Sequence, residues 1–163
     1  MSPVNVIVVV IAIFILLALL LTIIIFRQAR QRTITQGYIY ISAEQVILIN
    51  ERVTQSHGLL RDRNALESAL ARPYTAAFYE QADVIRQAAG LIEGIAMNHP
   101  FIDGNKRTAM ITGLDFLESN GYILRREASR EIGQKIESLV IERNLEKFAE
   151  WLRSSIQRSQ RRI

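Results

Sequence analysis

Between Asn98 and Met110 the chain reads NHPFIDGNKRTAM, which places a histidine, a carboxylate, two amides and two cations around one glycine. Histidine ordinarily titrates at about pH 6.5, so an imidazole at position 99 suits a general base that takes the proton of an attacking hydroxyl. Asp103 is a natural magnesium ligand beside phosphates, because that cation takes few protein oxygens and completes its shell with phosphate oxygens and water. Gly104 lets a ligand approach the backbone. The first amides of a helix beginning at Asn105 would point outward with the positive end of its dipole. Lys106 and Arg107 fall in that first turn, where the dipole disfavours cations. They are misplaced for stability and well placed to clamp phosphates. Taken singly, each residue has a blander reading: a histidine ending an apolar helix usually caps or packs, and an aspartate before a helix is usually its N-cap. Their concentration in one loop favours phosphoryl or nucleotidyl transfer to a Ser, Thr or Tyr hydroxyl. Phe101 and Ile102 read as structural, and His57, beside Gly58, as a solvent-exposed turn residue.

Such a loop needs two helices to hold it. Upstream, Ile85, Ala88, Ala89, Ile92, Ile95 and Ala96 recur with the 3.6-residue period of a buried helix. That helix should run from Gln81 to near His99, since Pro100 disfavours helical geometry in the residue before it. Downstream, a helix from about Asn105 is expected to carry Met110, Ile111, Leu114 and Leu117 inward and to stop at Asn120-Gly121. Earlier in the chain, YIYI (Tyr38 to Ile41) could form a short strand leading to Ser42. The spacing of Ser42 to Gln45 fits a capping box ahead of Val46, Ile49 and Val53. Asp62 or Asn64 can cap a helix bearing Leu66 and Leu70, which Pro73 is expected to end, leaving PYTAAFYE as a loop or extended flap. Segments Ala128 to Ile141 and Asn144 to Ile156 complete the helices. The tail RSSIQRSQRRI reads as a solvated helix end or frayed terminus.

The 163 residues divide into three parts. Apolar residues are 49% of the chain but concentrate in Val4 to Phe26, interrupted only by Asn5 and Thr22. As a helix this run spans roughly 35 Å, enough to cross a hydrocarbon core of about 30 Å. No basic residue precedes it and bulky side chains close it, which argues for an uncleaved anchor over residues 1–26 rather than a signal peptide. Residues 27–37 form a basic linker with Arg27, Arg30 and Arg32, and the positive-inside rule puts the remaining domain, residues 38–163, in the cytoplasm. The chain has no cysteine, which excludes thiolate metal sites and cysteine nucleophiles. The net charge of +4 resides largely in arginines near the linker and the C-terminus. Aromatics do not interleave with them, so topology and lipid head groups account for those of the linker, solvation for those of the tail, and no nucleic acid is expected.

HPFIDGNKRT, His99 to Thr108, resembles the signature of the Fic superfamily, and in particular its Doc (death-on-curing) branch, in which a lysine stands between the asparagine and the arginine. RDRNALESALARP (Arg61 to Pro73) and FLESNGYIL (Phe116 to Leu124) also resemble Doc segments in order and spacing. The resemblance implies an all-α fold with the motif joining two central antiparallel helices, and ATP with magnesium as the donor. It further implies His99 as the catalytic base, Asp103 as the magnesium ligand, and Gly104, Asn105, Lys106 and Arg107 around the nucleotide. Most Fic enzymes have a second glycine at the position of Lys106 and transfer AMP, whereas the Doc branch is similar to a kinase that transfers the γ-phosphate. The relatives best understood are toxins that phosphorylate elongation factor Tu and are restrained by a separate antitoxin protein. SLVIER (Ser138 to Arg143) matches only two positions of the inhibitory helix found in some Fic proteins and reads as a solvated face. The anchor departs from the Doc pattern and leaves the target open.

Overall fold

The structure, a computed structural model, describes residues 13–22, 37–57 and 59–159. Past a helical stretch at 13–22, six α-helices follow: α1 (Ala43–Thr54), α2 (Arg63–Thr75), α3 (Val84–Asn98), α4 (Asn105–Ser119), α5 (Ile132–Glu142) and α6 (Leu145–Ser155). Strands β1 (Tyr122–Leu124) and β2 (Ile156–Arg158) pair antiparallel, with Ile123 opposite Gln157. The chain is thus mostly helical, and this small ladder departs from the expected all-α fold.

Helix starts follow side-chain chemistry. Ser42 and Gln45 form a reciprocal capping box at α1, while Asp62, Asp83 and Asn144 each accept a backbone N–H at the heads of α2, α3 and α6. The axis of the domain is α3, whose Ala88, Ala89, Leu91, Ile92, Ile95 and Ala96 are all buried. It lies against α2 on one side and α4 on another, with α5 and α6 closing the core through Ile136, Leu139, Phe148 and Leu152. Close approach depends on small residues. A β-carbon on Gly113 of α4 would lie 2.3 Å from Ile92 Cγ1, and one on Gly94 of α3 would lie 3.0 Å from Ala69 of α2.

Several expectations change. Pro73 does not end α2: it sits buried inside the helix, which runs to Thr75 and passes into a π-helical turn, Ala76–Glu80. PYTAAFYE is therefore helix and not a flap. YIYI joins no strand: the backbone of Ile39 is bonded by a side chain, with Asn120 accepting from its N–H and donating to its carbonyl at 2.9 Å each. In α4 the fully buried face is Thr108, Ala109, Thr112, Gly113, Phe116 and Leu117, while Met110 and Leu114 pack only at its margin. The tight crossing with α3 selects small residues over large ones. Ala128–Arg130 is a 3₁₀ turn ahead of α5, and the end of the last segment becomes β2 instead of a helix end or frayed tail.

The anchor proposed over 1–26 and the linker over 27–37 lie largely outside the described residues. Residues 13–22 of that run are helical and exposed. Among the described residues, no helix is long and apolar enough to cross a membrane.

Candidate active site

Helix α3 ends at Asn98, whose amide donates to the Ala65 carbonyl at 3.1 Å and whose oxygen accepts from Arg72 at 3.4 Å. Arg72 is itself paired with Glu93 at 2.6 Å, so the last turn of α3 is fastened to α2. His99 follows with φ 47° and ψ 54°, a left-handed conformation that is uncommon outside glycine. The next residue, Pro100, disfavours the right-handed alternative, and the Arg61 guanidinium donates to the His99 carbonyl. This geometry ends the helix and leaves the imidazole exposed to solvent.

The loop then docks on the segment leading into α2. The N–H groups of Arg61 and Asp62 donate to the Pro100 carbonyl at 2.8 and 3.1 Å, Leu60 bridges Phe101, and Ile102 N–H donates to Leu59 at 2.8 Å. Phe101 is buried, as its apolar ring predicts, and anchors the turn. Ile102, expected to be structural, is 67% exposed instead, because the bridge turns its side chain outward while its backbone does the holding.

Asn105 closes the loop from the other side. Its oxygen accepts from Phe101 N–H at 3.0 Å and its amide donates to the Phe101 carbonyl at 2.8 Å. One donor and one acceptor site on that amide remain for a ligand. Gly104 heads α4 with φ 78° and no side-chain cap, so Asp103 is not the N-cap and its carboxylate is left exposed. Glycine is required twice over at 104: the backbone is left-handed, and a β-carbon would lie 2.6 Å from Thr54 Cγ2.

Beneath the loop lies Asn50, 1% exposed, donating through Nδ2 to the Asp103 carbonyl at 2.9 Å and to Thr108 Oγ1 at 3.0 Å. It ties α1, the loop and α4 together at a point where water has no access. The signal for it was a polar residue one turn beyond Val46 on the apolar face of α1. Arg61 carried no local signal, since its role depends on a pairing that only the fold creates.

The two cations of the first turn find local anions, as their conflict with the dipole requires. Lys106 Nζ lies 2.5 Å from Glu137 of α5. Arg107 donates to the Val53 carbonyl at 2.9 Å and stands 3.4 Å from Asp103 Oδ2. Both remain about half exposed. His99, Asp103, Lys106 and Arg107, all exposed, therefore lie on one loop and the first turn of the helix that Gly104 heads without a side-chain cap. His57 is exposed, 3.2 Å from Glu51 and apart from this group. Among the described residues no cluster of three or more His, Asp or Glu could hold a metal by protein ligands alone. A cation bound here would rest on Asp103 and on oxygens of its ligand, which is the manner of magnesium.

The family model of the Fic/DOC family matches residues 40–117, which span α1 to α4 and the whole loop. Over 87 residues the chain is 33% identical to Toxin Doc of Mycolicibacterium smegmatis, covering 52% of this chain and 67% of that protein. The chain belongs to the Fic/DOC family. Within the Fic/DOC match fall His99 to Arg107 and also Asn50 and Arg61, whereas Glu137 lies beyond it. The Fic/DOC core therefore comprises the loop and its supports, and α5 and α6 are packed against it from outside the matched span.

Proposed function

We propose that the chain is a Doc-like toxin that transfers the γ-phosphate of Mg-ATP to a hydroxyl of a protein. One observation supports this above the others: α4 begins at a glycine with no side-chain cap, and the histidine, carboxylate, lysine and guanidinium of the adjoining loop and first turn are all exposed. Free amides at a helix start and two cations favour a polyphosphate. In this reading His99 takes the proton of the target hydroxyl as its oxygen bonds to the γ-phosphorus. The bridging bond to the β-phosphate breaks, ADP leaves, and the proton remains on His99. Gly104, Asn105 and Arg107 hold phosphate oxygens, and Lys106 occupies the space that a second glycine would leave, which sets the γ-phosphate in line. Asp103 holds magnesium, which neutralises charge on the transferring phosphate.

The similarity to a protein named Toxin Doc supports a toxin with a separate antitoxin, and elongation factor Tu is the proposed target, so that translation would stop. The run Val4 to Phe26 supports single-pass anchoring with the domain in the cytoplasm, and flotation of the chain with lipid vesicles tests it. The reaction is tested by incubating the whole chain and a bacterial extract with ATP labelled at the α- or γ-phosphate. Label entering protein from γ-labelled ATP alone is expected. Label from α-labelled ATP would establish AMP transfer in its place. His99→Ala should abolish transfer and leave the helical content unchanged. Growth arrest that survives this substitution would make the chain a non-catalytic nucleotide- or partner-binding module.

A further inference from the structure

The loop occupies one pole of the domain, and the opposite pole has features that the reaction does not use. Helix α3 separates the two by about 22 Å, fifteen residues at about 1.5 Å each. At the far pole the chain enters through Tyr38 to Ile41, with Ile39 clamped by Asn120 just past the end of α4. The C-terminal segment leaves from the same place: Arg158 of β2 lies opposite Tyr122, and Ser159 N–H donates to the Gly121 carbonyl at 2.9 Å.

Beside these exits stands a chain of aromatic rings. Phe116 in the core contacts Tyr40, Tyr40 contacts Tyr74, and Tyr74, Phe78 and Tyr79 follow outward, each pair of centroids within 6.3 Å. Its outer end is open to solvent, with Tyr74 51%, Tyr79 75% and neighbouring Ile39 53% exposed. In sequence Arg27, Arg30 and Arg32 precede the entry at Tyr38, and Arg158 lies in β2 where the chain leaves. Exposed tyrosines beside the point where the chain enters, downstream of a basic linker and a 23-residue apolar run, match the chemistry of the bilayer interface.

We propose that this pole, formed by Ile39, Tyr74 and Tyr79, is a lipid-facing surface that rests on an anionic membrane and holds the His99 loop away from it. The inference rests on the anchor reading and not on the identity of the phosphate transferred. The tether alone could not orient the domain, because residues 27–37 at full extension reach about 35 Å, more than the distance from pole to pole. A second contact is needed, and the tyrosines provide it where the chain enters.

The absence of cysteine allows a direct test. Thr75→Cys at the aromatic pole and Ile102→Cys at the loop, each in the whole chain, are labelled with a fluorophore. They are then mixed with vesicles of phosphatidylcholine and phosphatidylglycerol that contain a head-group spin label. The chain is expected to float with the vesicles, and the label at 75 to be quenched several-fold more than the label at 102. Adding Ile39→Ser with Tyr79→Ser should preserve flotation and bring the two labels close to parity. Equal quenching in the parent, stronger quenching at 102, or an unchanged difference in the serine variant would overturn the proposal. Failure to float would overturn it through the anchor, while phosphate transfer by the same preparation would leave the catalytic reading standing.

Discussion

At the scale of single residues, the site depends on groups that hold the loop as much as on those that face a substrate. Gly104→Ala combines a left-handed backbone with a β-carbon 2.6 Å from Thr54. It should lower stability by about 1–3 kcal/mol, read by urea denaturation, and should reduce transfer more than fold loss explains. Asn50→Ala removes the donor to the Asp103 carbonyl and to the buried Thr108 hydroxyl, at a cost of about 1–3 kcal/mol in the same measurement. Lys106→Ala should leave the urea midpoint nearly unchanged, because its pairing with Glu137 is half exposed and such pairs contribute about 0–1 kcal/mol. Its effect is expected in γ-phosphate transfer, and a variant as active as the parent would remove the basis for the kinase reading.

At the scale of elements, the crossing of α3 with α4 and the cap of α3 make separate predictions. Gly113→Ala should overpack against Ile92 and destabilise by about 1–3 kcal/mol, since the new methyl has no space. Combined with Ile92→Ala the loss should be smaller than the sum of the two, because the methyl then fills part of the cavity. Thermal unfolding of the four-member cycle measures the coupling. Asp83, the cap of α3, is pushed up by partial burial but pulled down further by Arg153, 2.8 Å away, and by the Arg86 amide, so its pKa lies below the ordinary carboxylate value. A lowered folded pKa means that the stabilisation is complete above the unfolded value of 3.8 and is lost as pH falls through the folded one. Asp83→Asn should therefore be less stable than the parent near neutrality, and the difference should vanish in acid, as followed by helical ellipticity across a pH series.

At the scale of the molecule, the β1–β2 ladder joins the C-terminus to the segment after α4 and closes the pole opposite the loop. Ending the chain after Ser155 deletes the buried Ile156 and the bond from Ser159 to Gly121. A loss of about 1.5–3 kcal/mol is expected from the isoleucine, seen as a lower melting temperature, while the loop some 20 Å away keeps its chemistry.

The sequence by itself determined most of the helices and the whole inventory of the loop. The 3.6-residue period of α3, the capping pairs at Ser42 and Asp62, and the run from His99 to Arg107 are local codes, readable because neighbours in sequence are neighbours in a helix. Only the tertiary structure decided what lies under and beside that loop. Asn50 under Asp103, Arg61 on the His99 carbonyl and Glu137 on Lys106 are pairings across 31 to 53 residues. Such partners are set by how helices cross and not by any spacing along the chain. The same holds for Pro73, which lies buried inside α2 where a local preference would have stopped the helix. It holds too for the small buried face of α4, which close approach to Ile92 imposes.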